Sequence, residues 1–175
     1  MNNLVVLETV DVTTLETYIA VGKKSYREHY LHLWENEDPT PYISIGFTNT
    51  IVSAELMDPN VTNYLIKMGQ DIVGIVKLVK NKGVDEFPDE TSLKAEKIYL
   101  LKAFSGKGLG KKVLQLIEKE AIDLKKKVVW LDTMQKGKPL QFYLKNGFKI
   151  KRDSELTILG AKPSEKAMYI LTKQL

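Results

Sequence analysis

The stretch KAEKIYLLKAFSGKGLGKKVLQLIEKEAIDL, Lys94 to Leu124, decides the fold of this chain. It reads as strand, glycine loop and helix. Ile98, Tyr99, Leu100 and Leu101 form a short apolar run with β-forming residues at its centre. Ser105-Gly106-Lys107-Gly108-Leu109-Gly110 then sets glycines at alternate positions. After it, Leu109, Val113, Leu116, Ile117, Ala121 and Leu124 recur at helical spacing. A glycine loop that opens directly into a helix is a ready anion site. The first-turn N–H groups have no partner within the helix, and the helix dipole is positive there. Glycine also lets the backbone approach a phosphate closely. Lys107, Lys111 and Lys112 add positive charge at the same place. The physical reading is a pyrophosphate cradle. It does not have the Walker A spacing, nor the Gly-x-Gly-x-x-Gly order of a dinucleotide loop after an early strand. Taken alone, the loop also reads as a glycine-softened turn before an ordinary helix.

The rest of the chain frames this unit. At 175 residues it is long enough for one domain with a sizeable core, spanning residues 1–175. No apolar run is long enough to span a bilayer, and the start shows no basic region followed by an apolar core. A cytoplasmic protein without a membrane partner is therefore expected. The absence of cysteine removes disulfides, cysteine-based zinc sites and a thiol nucleophile. The net charge of +4 suits an anionic cofactor and is too diffuse to suggest nucleic acid. His29 and His32 share a helical face but have no third ligand in sequence, so no metal is expected. No Gly-x-Ser-x-Gly turn is present to carry a serine hydrolase.

In chain order, residues 4–10 predict a strand, and Leu15 to Leu33 a helix ending in the aromatic stretch His29-Tyr30-Leu31-His32-Leu33-Trp34. An acidic turn, Glu35 to Pro39, is closed by Pro41, and residues 48–57 predict a second helix. A hairpin follows, with strands 63–68 and 72–79 about Gly69-Gln70-Asp71. Residues 83–92 read as an acidic loop before the organising strand. Val128–Thr133 is a strand, Pro139–Asn146 a short helix stopped at Gly147, residues 148–150 the start of a strand, 153–165 a polar loop, and 168–171 the last strand. The order predicts an α/β fold: a mixed, mostly antiparallel central sheet flanked by helices.

Two motifs in order carry a family resemblance. Gly108 and Gly110 match the two glycines of Gln/Arg-x-x-Gly-x-Gly/Ala, the acyl-coenzyme A signature of the GNAT N-acetyltransferase superfamily. Ser105 stands where that family usually has Gln or Arg. Downstream, Gln141-Phe142-Tyr143-Leu144-Lys145-Asn146-Gly147-Phe148 resembles the family's Phe-Tyr-x-x-x-Gly-Phe segment. The turn before it, Gln135 to Lys138, lacks the Asn often found there. Phe142 and Leu144 cannot share a helical face with Tyr143, which is left to point away from the core.

The resemblance implies acetyl transfer from acetyl-coenzyme A, a co-substrate needing no metal, to a primary amine by direct attack in a ternary complex. It implies that Tyr99, Leu100 and Leu101, with Ser105, Gly106, Lys107, Gly108, Leu109, Gly110 and Lys111, bind the cofactor. A backbone N–H near Tyr99–Leu101 would hold the oxyanion, and the same edge would pair the pantetheine amides as an added strand does. A cationic amine must lose a proton. Glu96, two residues before Ile98 and expected on the same strand face, is the candidate base. A thiol has a pKa of about 8.5 and a tyrosine about 10, so Tyr143 suits a general acid toward the departing thiolate. The acceptor would enter over the early helices, where Tyr26, Tyr30, His32, Trp34, Glu35, Glu37, Asp38 and Tyr42 lie. Tyr30, Trp34, Glu35 and Glu37 are the expected contacts, since aromatic faces and carboxylates suit a cation. The pattern looks like the bacterial polyamine-type members, which act on spermidine or spermine. A peptide or protein amine, an amino sugar or an antibiotic stays open, as does an acyl-coenzyme A-binding module without turnover. A homodimer is compatible with all of these.

Overall fold

A computed structural model describes residues 4–175. The elements are β1 (Val5–Thr9), α1 (Leu15–Tyr30), α2 (Thr40–Gly46), α3 (Asn49–Met57), β2 (Val61–Met68), β3 (Asp71–Val79), β4 (Ser92–Leu100), α4 (Leu109–Asp123), β5 (Val128–Met134), α5 (Lys138–Lys145), β6 (Lys149–Glu155) and β7 (Ala167–Gln174). The strands form a seven-stranded sheet in the order β1-β2-β3-β4-β5-β7-β6. All neighbours are antiparallel except β4 and β5, joined by the α4 crossover. The expected mixed, mostly antiparallel α/β sheet is what forms.

Helices cover both faces. On one face Val113, Leu114, Ile117 and Ala121 of α4 pack over Val76, Leu78, Leu93, Ala95, Val129 and Leu131. Deleting a side chain such as Ile117, which is fully buried, would cost about 2–5 kcal/mol. On the other face Tyr18, Ile19 and Tyr26 of α1 pack with Trp34, Ile43, Phe47, Val52, Leu65 and Ile75. β3 is buried on both sides, which is why its sequence runs almost unbroken in apolar residues.

Three expectations are corrected. Pro41 does not close the acidic turn; it lies in the first turn of α2, a helix the sequence reading missed, where a missing N–H costs nothing. The polar residues 153–155 continue β6, whose side chains alternate toward solvent at the sheet edge. Leu124 is 41% exposed beyond the end of α4, and Leu114 takes the core place instead.

Candidate active site

β4 and β5 pair over only three residues, Ser92 to Lys94 against Val128 to Trp130. β4 then runs on to Leu100 and β5 to Met134, so a wedge opens between them. The Leu101 N–H donates to Val73 of β3 at 2.9 Å, and its carbonyl accepts from Phe104. Strand alternation therefore aims Tyr99 at β3, and Ile98 and Leu100 into the wedge. Of the three backbone positions expected to serve the cofactor, Leu100 faces the wedge while Tyr99 and Leu101 do not. Ile98 was missed. The Leu100 carbonyl accepts from Nε2 of His29 at 2.9 Å, and Glu28 accepts from the Lys102 N–H at 2.7 Å. The last turn of α1 is thus tied to the end of β4, and His29 serves as a strap.

The wedge leads to the glycine loop. Gly108 caps α4 with φ 75°, a left-handed conformation that favours glycine, and no side chain caps the helix. A Cβ at Gly108 would have nothing within 4 Å, so the space before these amides is open. A pyrophosphate fits here, with Lys107 and Lys111 exposed beside it. Ser105 turns inward and donates to the Lys102 carbonyl at 2.8 Å, which shapes the loop. Gly110 has another reason to be small. A Cβ there would meet the Phe142 ring at 3.0 Å, so this glycine seats α5 against α4.

At the wedge's inner end lies a cleft of about 120 Å³. Tyr26, Tyr30, Tyr42, Tyr99 and Tyr143 line it with Glu96, Asp132, Met134 and Met168. Tyr26 stacks on Tyr42 at 4.2 Å, and the Tyr42 and Tyr99 hydroxyls hydrogen-bond at 2.7 Å. Phe142, Tyr143 and Leu144 all pack at the α4-side core, so Tyr143 does not turn away from it as expected. Its ring lies 5.3 Å from Phe142 and 5.7 Å from Phe148, while it still lines the cleft. Gly147, at φ 91°, ends α5, and the Phe148 N–H returns to the Tyr143 carbonyl at 3.1 Å. Burial, helped by the nearby Tyr30, raises the Tyr143 pKa, so the phenol keeps its proton.

Trp34 and Ala161 form a bridge, the Glu35 N–H donates to Gly160 and the Lys162 N–H to Leu33. Trp34 is fully buried, and its indole N–H donates to the Tyr26 hydroxyl at 3.1 Å. It supports the cleft from behind and cannot be the substrate contact expected of it. Glu35 and Glu37 are exposed on a short 3-10 turn outside the cleft lining. Of the expected acceptor contacts, Tyr30 reaches the cleft.

Glu96 lies there too, for a reason alternation did not foresee. The register of β3 against β4 shifts between Lys77–Lys97 and Leu78–Ala95, so Glu96 is the extra residue of a bulge. Ala95 and Ile98 face α4, whereas Lys97 and Tyr99 face α1 and α2. Glu96 therefore shares the side of Tyr99 and not that of Ile98. Its Oε1 meets Lys77 at 2.7 Å. Burial alone would lift its pKa, but Lys77, Lys94 and Lys97 outweigh that and hold it below the usual value. Asp132 pairs with Lys94 at 2.8 Å. Lys77, Lys97 and Asp132 were missed, although each is a charge set among strand residues that are otherwise apolar, which is a readable signal.

A domain model for the acetyltransferase (GNAT) family matches residues 23–148. An uncharacterised N-acetyltransferase of Lactobacillus delbrueckii subsp. lactis is 25% identical over 134 residues, covering 76% of this chain and 78% of that one. The PaiA N-acetyltransferase of Thermoplasma acidophilum, solved with coenzyme A, superposes with a TM-score of 0.76 at 18% identity, over 98% of this chain and 99% of that one. The spermidine/spermine N-acetyltransferase SpeG of Vibrio cholerae superposes at 0.69 with 15% identity, over 99% and 94%. The chain belongs to the GNAT family of acetyltransferases. It is an acetyl-coenzyme A-dependent N-acetyltransferase. Among the described residues, no helix is long and apolar enough to cross a membrane.

Proposed function

We propose that the acceptor is a slender, cationic primary amine of the polyamine class, acetylated by direct attack within a ternary complex. The observation that carries this is the narrow cleft, walled by tyrosines and bearing Glu96 and Asp132. Tyrosine faces and ionised carboxylates attract an ammonium group. A cleft of about 120 Å³ suits a slender chain better than a folded protein surface. The Vibrio cholerae relative, a spermidine/spermine N-acetyltransferase, supports the same class.

Coenzyme A would lay its pyrophosphate on the Gly106–Gly110 amides and its pantetheine along Ile98 and Leu100. The neutral amine attacks the thioester carbonyl, a C–N bond forms, and the Ile98 or Leu100 N–H steadies the oxyanion. The C–S bond then breaks, and the Tyr143 hydroxyl protonates the thiolate. The amine arrives as an ammonium and gives its first proton to Glu96, which passes it to water; the second, shed by nitrogen as the amide forms, returns through water to restore the Tyr143 hydroxyl. A carboxylate with a lowered pKa relays a proton well and stores it poorly, so solvent must complete the transfer.

The test mixes the purified protein with acetyl-coenzyme A, a thiol reagent and a panel of amines. Linear polyamines should release free coenzyme A, and folded proteins should not. Release driven by peptide amines but by no polyamine would overturn this acceptor. No amine-dependent release at all would point to a binding module.

A further inference from the structure

Beneath the cleft, a line of hydrogen bonds runs inward from Glu96. Lys77 Nζ holds Glu96 at 2.7 Å and Glu55 at 2.6 Å. The other oxygen of Glu55 accepts from Asn63 at 2.8 Å, and Asn63 accepts from the Tyr18 hydroxyl at 3.0 Å. Lys77 and Glu55 side chains are each 11% exposed, while Glu96 is 33% exposed. The network is therefore closed at its buried end and open only at the cleft. Among the described residues, the second oxygen of Glu96 has no hydrogen-bond partner in the protein.

We propose that Lys77 is a positioning residue of the acetyl transfer: anchored on Glu55, it grips one oxygen of the bulged Glu96 and leaves the other free for the acceptor amine. This rests on the reading of Glu96 as the amine's proton acceptor. A bulge residue lacks the fixed pairing of a regular ladder, so its side chain needs a second hold. Glu55 provides it from α3, itself fixed by Asn63 of β2. Removing Lys77 would leave the buried Glu55 carboxylate without its cation and next to that of Glu96, which is costly. The charged and titratable groups around Glu96 are Tyr18 of α1, Tyr42 of α2, Glu55 of α3, Lys77 of β3, and Lys94 and Lys97 of β4, with Asp132 of β5 engaged on Lys94. Lys77 heads the cations acting on Glu96, so it also keeps that carboxylate ionised.

The experiment compares Lys77→Met, Lys77→Arg and the double variant Lys77→Met with Glu55→Gln. The double variant keeps the Asn63 contact and strands no second carboxylate. The carboxyl carbon of Glu96 is titrated by NMR in the whole protein, its signal assigned with Glu96→Gln, and the pH profile of kcat/KM is measured beside it. In both Met variants the Glu96 midpoint should rise, and in Lys77→Arg it should stay low. At neutral pH kcat/KM should fall about tenfold, less than the roughly hundredfold loss of an acid–base group itself. The acid limb should move upward with the NMR midpoint. An unchanged Glu96 midpoint in both Met variants overturns the proposal. A midpoint that moves while the acid limb stays still upholds the grip of Lys77 and refutes Glu96 as the proton acceptor.

Discussion

Lys97 offers a test of how the buried charges in this sheet are balanced. It is 4% exposed, its ammonium lies 4.3 Å from the Phe47 ring centre, and it donates to the Gly46 carbonyl at 2.9 Å. It makes no ion pair among the described residues. Burial, seconded by the repulsion of Lys77, pushes its pKa down to about 8 from the ordinary 10.5, against the pull of Glu55 and Glu96. The unfolded chain keeps this proton up to about pH 10.5, whereas the native protein releases it near 8. Between those values the unfolded state binds more protons, so stability rises with pH. Each pKa unit corresponds to about 1.4 kcal/mol, so the full swing is on the order of 3 kcal/mol. Lys97→Met keeps the straight chain and removes the charge. It also forfeits the bond to Gly46, worth about 1 kcal/mol. The variant should be more stable than the native protein at pH 7, by about 2 kcal/mol. The difference should shrink above pH 8 and reverse by about pH 10.5. Urea unfolding of both proteins across pH 7–10.5 reads this directly, and taking the difference cancels the other titrating groups. At pH 7 the melting point should rise by roughly 4–8 °C, at about 2–4 °C per kcal/mol for a chain of this size. A stability difference that does not vary with pH would refute the reasoning.

Three further outcomes follow from the site. Tyr143→Phe should keep coenzyme A affinity and lower kcat by about a hundredfold or more; if the hydroxyl only lines the channel, steady-state kinetics will instead show a higher KM with kcat unchanged. Gly108→Val and Gly110→Val should part company. The first strains a left-handed residue and crowds the anion site, so calorimetry should show weakened coenzyme A binding, while the second pushes Phe142, and with it Tyr143, so kcat should fall more than affinity. Lys162→Pro should loosen the Trp34–Ala161 bridge, because it removes the N–H that donates to Leu33 at a residue whose φ of −62° already suits proline; KM for the amine should rise while the coenzyme A dissociation constant holds, and an unchanged amine KM would show the bridge to be irrelevant to the acceptor.

The local sequence determined the strand–loop–helix unit. Residues 105–110 need no distant partner to form a glycine turn, and the apolar spacing from Leu109 to Ala121 specifies a helix by itself. Gly147 likewise marks a helix stop from its own backbone freedom. The second helix was hidden because Pro41 reads as a breaker unless the helix start is known. Tertiary structure alone decided which of these residues reach the site. The fate of Trp34 depends on Tyr26 behind it and Ala161 above it, more than a hundred residues away. Glu96 is turned to the α1 side of the sheet by a bulge, and a bulge arises from a mismatch between two strands that neither strand shows alone. The wedge between β4 and β5 is likewise a property of their separation after three paired residues. Alternation and periodicity describe one element at a time, whereas burial, hydrogen bonding and charge balance at this site depend on what the other elements place opposite.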